Sequence, residues 1–220
     1  MWKLLCVSLL TLFTQVEGFG QTAWKFITEK EGVKVYTSEV PGSKVKAVKV
    51  EATIDATESQ LVAVLMDINA STEWEYHVKS AALIKQVSPT ELYYYCEVNL
   101  PWPVANRDFV AHIAVTQDPD TKVVYMDGPT VPGIVPEKKG IVRIKNSTGK
   151  WVITPEGSGQ VKVEYSLHVD PGGNIPSWLV NMFAAEGPVQ EFKKLRIQVQ
   201  KPAYKNSNFT FIDNKSYVAN

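Results

Sequence analysis

The chain has 220 residues, 45% of them hydrophobic, and its 23 basic and 23 acidic side chains cancel to a formal net charge of zero. That balance excludes a surface built for nucleic acid, which needs a basic excess, and gives no electrostatic handle on any other partner. Two cysteines, Cys6 and Cys96, rule out a disulfide-dense scaffold.

Met1-Trp2-Lys3 supplies one positive charge, residues 4–13 form a short apolar run, and Gly18-Phe19-Gly20 offers small residues to a signal peptidase. Residues 1–20 read as a secretory signal peptide with cleavage expected before Gln21. A spanning helix needs about 20 apolar residues, and this run breaks at Thr14, Gln15 and Glu17. An uncleaved N-terminal anchor is the other reading. Export to a periplasm or to the exterior leaves Cys96 as the mature chain's one thiol, without an internal disulfide. Roughly 200 remaining residues are enough for a single domain with its own core.

A short helix is predicted over residues 23–29. Val33-Lys34-Val35-Tyr36-Thr37 and residues 45–54 then alternate with period two around Pro41-Gly42, the pattern of a hairpin. Thr57 precedes a helical pattern in which Leu61, Val64, Leu65 and Ile68 share a face, and a second short helix is predicted over residues 72–76. Strands follow at residues 82–87, 92–98, 109–116, 123–127, 141–146, 150–154 and 161–169. Ser88-Pro89-Thr90, Asp118-Pro119-Asp120, Thr148-Gly149 and Gly157-Ser158-Gly159 punctuate them as turns of an antiparallel meander.

Two loops stand out. In Pro101-Trp102-Pro103 both prolines fix φ and extend the preceding residue, so a strand starts only at about Asn106. Beyond it Phe109, Ala111, Ile113 and Val115 share one face, and Val110, His112, Ala114 and Thr116 the other. Arg107 and Asp108 point to opposite faces and cannot pair with each other, which assigns them to fixing the strand start. The other loop, residues 128–139, is apolar without periodicity, as Val131, Ile134 and Val135 show. A long amphipathic helix starts near Pro176, with Leu179, Met182, Phe183, Val189, Phe192, Leu195 and Val199 at helical spacing and Lys193, Lys194 and Arg196 towards solvent. Pro188 predicts an interruption near Glu186-Gly187.

Asn106-Arg107-Asp108-Phe109-Val110, Pro136-Glu137-Lys138-Lys139-Gly140-Ile141-Val142-Arg143 with Gly149-Lys150-Trp151, and Gly173-Asn174-Ile175-Pro176-Ser177-Trp178-Leu179-Val180-Asn181 are similar, in order and spacing, to blocks of START domains. These lipid-transfer domains, named after the steroidogenic acute regulatory protein, belong to the Bet v 1-like helix-grip superfamily. The resemblance runs from about Trp24 to Val199. It implies an α+β helix-grip fold over residues 21–200, in which a curved antiparallel sheet wraps the C-terminal helix around an apolar tunnel. It further implies one lipid or sterol in that tunnel and a gate made of the 128–139 loop and the helix from Pro176.

On that fold the expected ligand-binding residues are Tyr94, Phe109, Ile113, Val131, Ile134, Met182, Phe183 and Glu186. Sterol-binding relatives often carry a buried arginine where this chain has Ile113, so another polar anchor is needed, and Tyr94, Glu97 and His112 remain open for that role. Trp74, Trp102, Trp151 and Trp178 are read as packing or gate support.

Catalysis has no signature. His77, His112 and His168 share no metal-ligand spacing, no phosphate-binding loop or Gly-x-Ser-x-Gly elbow occurs, and the glycines at 18–20 lie in the leader. No cofactor and no metal is expected. The expected partner is a phospholipid, fatty acid or sterol-like lipid, with transient membrane contact and a monomeric carrier. The rivals are an enzyme of the same superfamily using His112 or Glu186 in cyclase- or hydrolase-type chemistry, and a ligand-sensing module. Asn69, Asn146, Asn208 and Asn214 head glycosylation sequons that matter only in a eukaryotic secretory pathway. The polar tail, residues 201–220, lies outside the resemblance and is expected to be loosely attached.

Overall fold

Glu31 and Gly32 are both left-handed, at φ 52° and 70°, the geometry of a two-residue hairpin turn whose twist matches its strands. They join β1 (Lys25–Lys30) to β2 (Val33–Ser38), paired antiparallel. The helix expected over residues 23–29 is therefore a strand, because Lys25–Lys30 has too little apolar surface to bury a helix face, whereas β2 offers its backbone partners. The computed structural model describes residues 23–43, 45–173 and 175–215; the leader, residues 1–20, lies outside the described residues. β2 and β3 (Ala47–Asp55) form the hairpin predicted around Pro41-Gly42.

Thr57 turns the chain from strand to helix. Its hydroxyl accepts from the Gln60 amide at 3.2 Å while the Gln60 side chain accepts from the Thr57 N–H at 2.9 Å, a reciprocal cap that satisfies two otherwise orphaned donors. α1 (Glu58–Met66) follows, with Leu61, Val62 and Val64 fully buried. A 3₁₀ turn (Ile68–Ala70) then leads into α2 (Ser71–Trp74).

The meander comprises β4 (Val78–Ser88), β5 (Glu91–Val98), β6 (Arg107–Gln117), β7 (Val124–Asp127), β8 (Val142–Arg143), β9 (Asn146–Gly157) and β10 (Gln160–Asp170). The sheet runs β1-β2-β3-β10-β9-β7-β6-β5-β4, and β8 adds a short parallel pairing to β6. Two expectations change here. The strand predicted over residues 141–146 shrinks to β8. Thr148-Gly149, expected as a turn, lies inside β9, where Thr148 pairs with His168 and Gly149 with Leu167. Glycine fits this strand because another backbone approaches: Gly128 N–H donates to the Gly149 carbonyl at 2.8 Å.

The C-terminal helix consists of α3 (Ser177–Asn181), a π-helical turn (Met182–Glu186) and α4 (Gly187–Gln198). Pro188 explains the interruption: it lacks an N–H, and in a regular α-helix its ring would clash with the carbonyl four residues earlier, which the wider turn avoids. Val189, Phe192, Leu195 and Val199 are buried against the sheet. Arg196 donates to the carbonyls of Glu31 at 2.6 Å and Thr53 at 3.1 Å, fastening the helix to the β1–β2 turn and to β3. The sheet thus grips the helix in the α+β architecture expected from sequence.

The described part of the tail is not loose. Tyr204 and Ile212 are buried, and Tyr204 donates its hydroxyl to Asp67 at 2.8 Å. Asn214 accepts from the Ser59 amide and the Lys215 amide donates to Glu58, each at 2.9 Å. Residues 201–215 therefore close over α1, because one of its free first-turn amides and its apolar surface both find partners there.

Candidate ligand cavity

Strand parity decides what the sheet offers its interior. β5 and β6 pair Tyr94 with Ala111, Cys96 with Phe109 and Val98 with Arg107, so Tyr94, Cys96, Val98, Arg107, Phe109 and Ile113 reach the wall of a cavity of about 780 Å³. Successive side chains alternate faces. Tyr95, Glu97, Asp108 and His112 therefore lie off that wall. Opposite, α3, the π turn and α4 contribute Leu179, Phe183, Glu191 and Phe192. Trp151 of β9 stacks on Tyr165 of β10 at 4.2 Å and on Phe192 at 5.7 Å, an aromatic floor beneath α4. Such a volume with a mostly apolar wall and a few polar groups suits a small-molecule ligand.

Of the eight expected ligand residues, Tyr94, Phe109, Ile113 and Phe183 stand on this wall, and Val131, Ile134, Met182 and Glu186 do not. Val131 is drawn off by its backbone, which donates to the Val110 carbonyl at 2.8 Å. Ile134 and Glu186 are exposed, and Met182 packs at the π turn. Of Tyr94, Glu97 and His112, parity places Tyr94 alone on the cavity wall. His112 stacks on Tyr93 at 4.5 Å and lies 3.6 Å from Glu91. Glu97 accepts from Lys79 at 2.8 Å and Asn106 at 3.0 Å, and these contacts hold its carboxyl below the usual range against the cost of burial.

Two arginines hold the cavity's surrounding loops. Arg107 donates to the carbonyls of Pro171 at 3.1 Å and Gly172 at 3.0 Å, just before α3. Arg143 reaches Asp108 at 2.7 and 3.0 Å and also donates to the carbonyls of Val135 at 2.9 Å and Pro136 at 3.1 Å. Tyr95 adds its hydroxyl to Asp108 at 3.1 Å. Arg107 and Asp108 thus secure opposite sides of the strand start, one to each loop. On the helix side, Phe183 packs edge-on against Tyr76 at 5.4 Å and tilted against His77 at 5.6 Å.

Glu75 and Glu191 also line the cavity, and sequence reading passed over both. Glu75 ends α2, and Glu191 accepts from the Tyr76 amide at 3.2 Å. The surface they keep opens into the cavity rather than to bulk water. Desolvation, with Glu191 adding like-charge repulsion, pushes the Glu75 carboxyl up to about 8. Desolvation pushes Glu191 up to about 7. Glu191 had a legible signal: it follows Pro188 by three residues and precedes Leu195 by four, on the inner stripe of its helix. Cys96 lies on the same wall, where burial pushes its thiol up and away from the reactive thiolate form. Among the described residues no group of His, Cys, Asp and Glu is arranged to hold a metal ion.

The START domain family profile matches residues 10–205. The chain belongs to the START domain family. It is 35% identical to the uncharacterized protein PA1579 of Pseudomonas aeruginosa, over 81% of this chain and 87% of that one. It is 30% identical to the phosphatidylcholine transfer protein of Bos taurus, over 78% and 81% of the two chains. Among solved structures, a STAR-related lipid transfer protein fragment from Xanthomonas axonopodis superposes with a TM-score of 0.74 at 36% identity, covering 81% of this chain and 99% of the fragment. In START terms the cavity lies between the curved sheet and the C-terminal helix, with Arg107 and Asp108 at the start of the strand that walls it. Among the described residues no helix is long and apolar enough to cross a membrane.

Proposed function

We propose that this START-domain protein is a non-enzymatic carrier that takes one apolar molecule out of water, a phospholipid, fatty acid or sterol-like lipid. The observation that carries the reading is the mostly apolar cavity of about 780 Å³ roofed by the C-terminal helix. At about 0.8 kcal/mol for each buried methylene, an acyl chain gains several kcal/mol there without a strong polar contact. Phospholipids are the first class to test, since a relative similar over four-fifths of its length is called a phosphatidylcholine transfer protein.

Access runs between the 128–139 loop and the helix segment around the π turn. Residues 128–131 are bonded to β6 and β9, so the parts that can shift while the sheet keeps its pairing are residues 132–139 and the π turn. Trp102 is 91% exposed, Trp178 50% and Ile134 42%, and they occupy the three loop or helix segments that Arg107 and Arg143 tie to β6. Aromatic and apolar side chains so placed suit transient contact with a membrane interface. The carrier acts as a monomer, and the leader at residues 1–20 directs it out of the cytoplasm; sequencing the mature N-terminus checks cleavage before Gln21.

The enzymatic rival named His112 and Glu186 as acid or base, and neither stands on the cavity wall, which favours the carrier. Mass spectrometry of lipids extracted after gentle purification tests the reading. A co-purified lipid, and transfer of fluorescent phosphatidylcholine between vesicles, are expected; a protein that carries no apolar molecule and takes up no lipid probe overturns it. Uptake without transfer favours the sensing module instead. Substituting Val131 and Ile134 by Asp slows transfer if the loop is the gate, and an unchanged rate removes the gate.

A further inference from the structure

Tyr94 of β5 and Tyr165 of β10 both reach the cavity wall. Their rings are held by neighbours: Tyr165 stacks on Trp151 at 4.2 Å, and Tyr94 meets Phe109 edge-on at 5.8 Å. Packing therefore occupies the rings, and each leaves a ligand its hydroxyl. Among the described residues neither hydroxyl has a hydrogen-bond partner, and neither is closed off by packing as the Trp74 indole N–H is. Two fixed phenol donors thus open onto the cavity without an acceptor in the protein.

Their surroundings decide what they can meet. Burial, and after it the carboxyls of Glu75 and Glu191, push both phenols well above their ordinary range, so each keeps its proton. Glu75 bonds to Ser71, and Glu191 accepts from the Tyr76 amide. Basic groups are engaged elsewhere: Arg107 donates to the carbonyls of Ala105, Pro171 and Gly172, and Lys46 pairs with Glu39 at 2.7 Å. An anion brought to this place meets two carboxyls and no counter-charge. A cation gives the phenol hydroxyls nothing to donate to. An uncharged oxygen suits them, and an alcohol can in turn donate to a carboxyl oxygen. Buried donors left unpaired are costly, and such an oxygen removes that cost.

We infer that Tyr94 and Tyr165 set the specificity of the cavity, donating their hydroxyls to an uncharged alcohol and the ester carbonyl beside it, with Glu75 or Glu191 accepting from the alcohol. Diacylglycerol carries that pair of groups. This rests on the carrier reading and narrows it to lipids whose polar end has no charge. A phosphodiester at the same oxygen replaces the alcohol hydrogen and brings negative charge towards the two carboxyls. Phosphatidylcholine is therefore taken up less readily, which sets this chain apart from the relative named for its transfer.

The test is competitive uptake, from the same vesicles, of diacylglycerol and phosphatidylcholine carrying the same fluorescent acyl chain, by the full chain and by its Tyr94→Phe/Tyr165→Phe variant. The wild type is expected to take up diacylglycerol in preference by about tenfold, the scale of two net hydrogen bonds. The variant keeps both rings and loses both hydroxyls, so it should lose the preference. Cooperative melting shows that it is folded, and the two single variants carry the test if it is not. A wild type that prefers phosphatidylcholine or neither lipid, or a preference that survives the substitutions whatever happens to total uptake, overturns the subsite and leaves the carrier standing. Uptake of neither lipid by the wild type overturns both.

Discussion

Arg143 grips Asp108 through two parallel contacts, Nε to Oδ1 at 2.7 Å and Nη2 to Oδ2 at 3.0 Å, with both side chains almost wholly buried. The same guanidinium holds the carbonyls of Val135 and Pro136, so the start of β6 and the apolar loop before β8 share one anchor.

Removing the arginine strands a buried carboxylate. Arg143→Met is expected to cost about 3–5 kcal/mol, and pairing it with Asp108→Asn to recover part of that loss, since the second change removes the uncompensated charge. Denaturant midpoints of the two single variants and the double variant read this directly. A midpoint for Arg143→Met equal to wild type would refute the anchor.

Gly187 is the place where α4 meets Tyr76. A Cβ added there would stand 2.9 Å from Tyr76 Cδ1 and 3.1 Å from Cε1, and that ring is held by Phe183 and His77. Gly187→Ala gains up to about 1 kcal/mol of helix propensity, but overpacking against a fixed ring costs about 1–3 kcal/mol. Net destabilisation and faster lipid exchange are expected. A variant more stable than wild type would mean that the ring yields freely.

Stability should fall with pH on account of the cavity carboxyls. In the unfolded chain Glu75 and Glu191 ionise near the ordinary 4.5, whereas the folded protein holds these protons up to about 8 and about 7. Between about pH 4.5 and 8 the folded state therefore binds more protons, and unfolding becomes easier as pH rises through that window, levelling off above it. Each tenfold difference in proton affinity between the states costs about 1.4 kcal/mol. Glu75→Gln is expected to match wild type at about pH 4 and to exceed it by a few kcal/mol at about pH 8. Parallel pH profiles for the two proteins would contradict this.

The tail should matter to stability. Ending the chain after Gln200 uncovers the α1 surface under Tyr204 and Ile212 and removes the contacts that Asn214 and Lys215 make to its first turn. Losing two large buried side chains is worth several kcal/mol. The melting temperature of the truncated protein should drop by many degrees, and an unchanged value would show the tail to be dispensable.

Hydrophobic alternation and turn chemistry were enough to read most of the meander, the capped first helix and the interruption at Pro188, because these depend on neighbours in the chain. Local pattern failed at β1, a weakly patterned edge strand that exists only because β2 lies beside it, and at Thr148-Gly149, where a turn signal is absorbed into a long strand with two partners. It failed again at the tail, whose few apolar residues gain their meaning from α1.

For the cavity, the sequence by itself determined that Phe109 and Ile113 share a face, and that Arg107 and Asp108 must look in opposite directions. Only the tertiary structure decided which face is inside. It thereby placed Tyr94 on the wall and turned His112 and Glu97 away. It also brought Glu75, from the end of α2, to the same cavity wall as Glu191 on α4. Residues so far apart in sequence carry no periodic signature of their meeting, and a carboxyl group reads as solvated until the chain has closed around it.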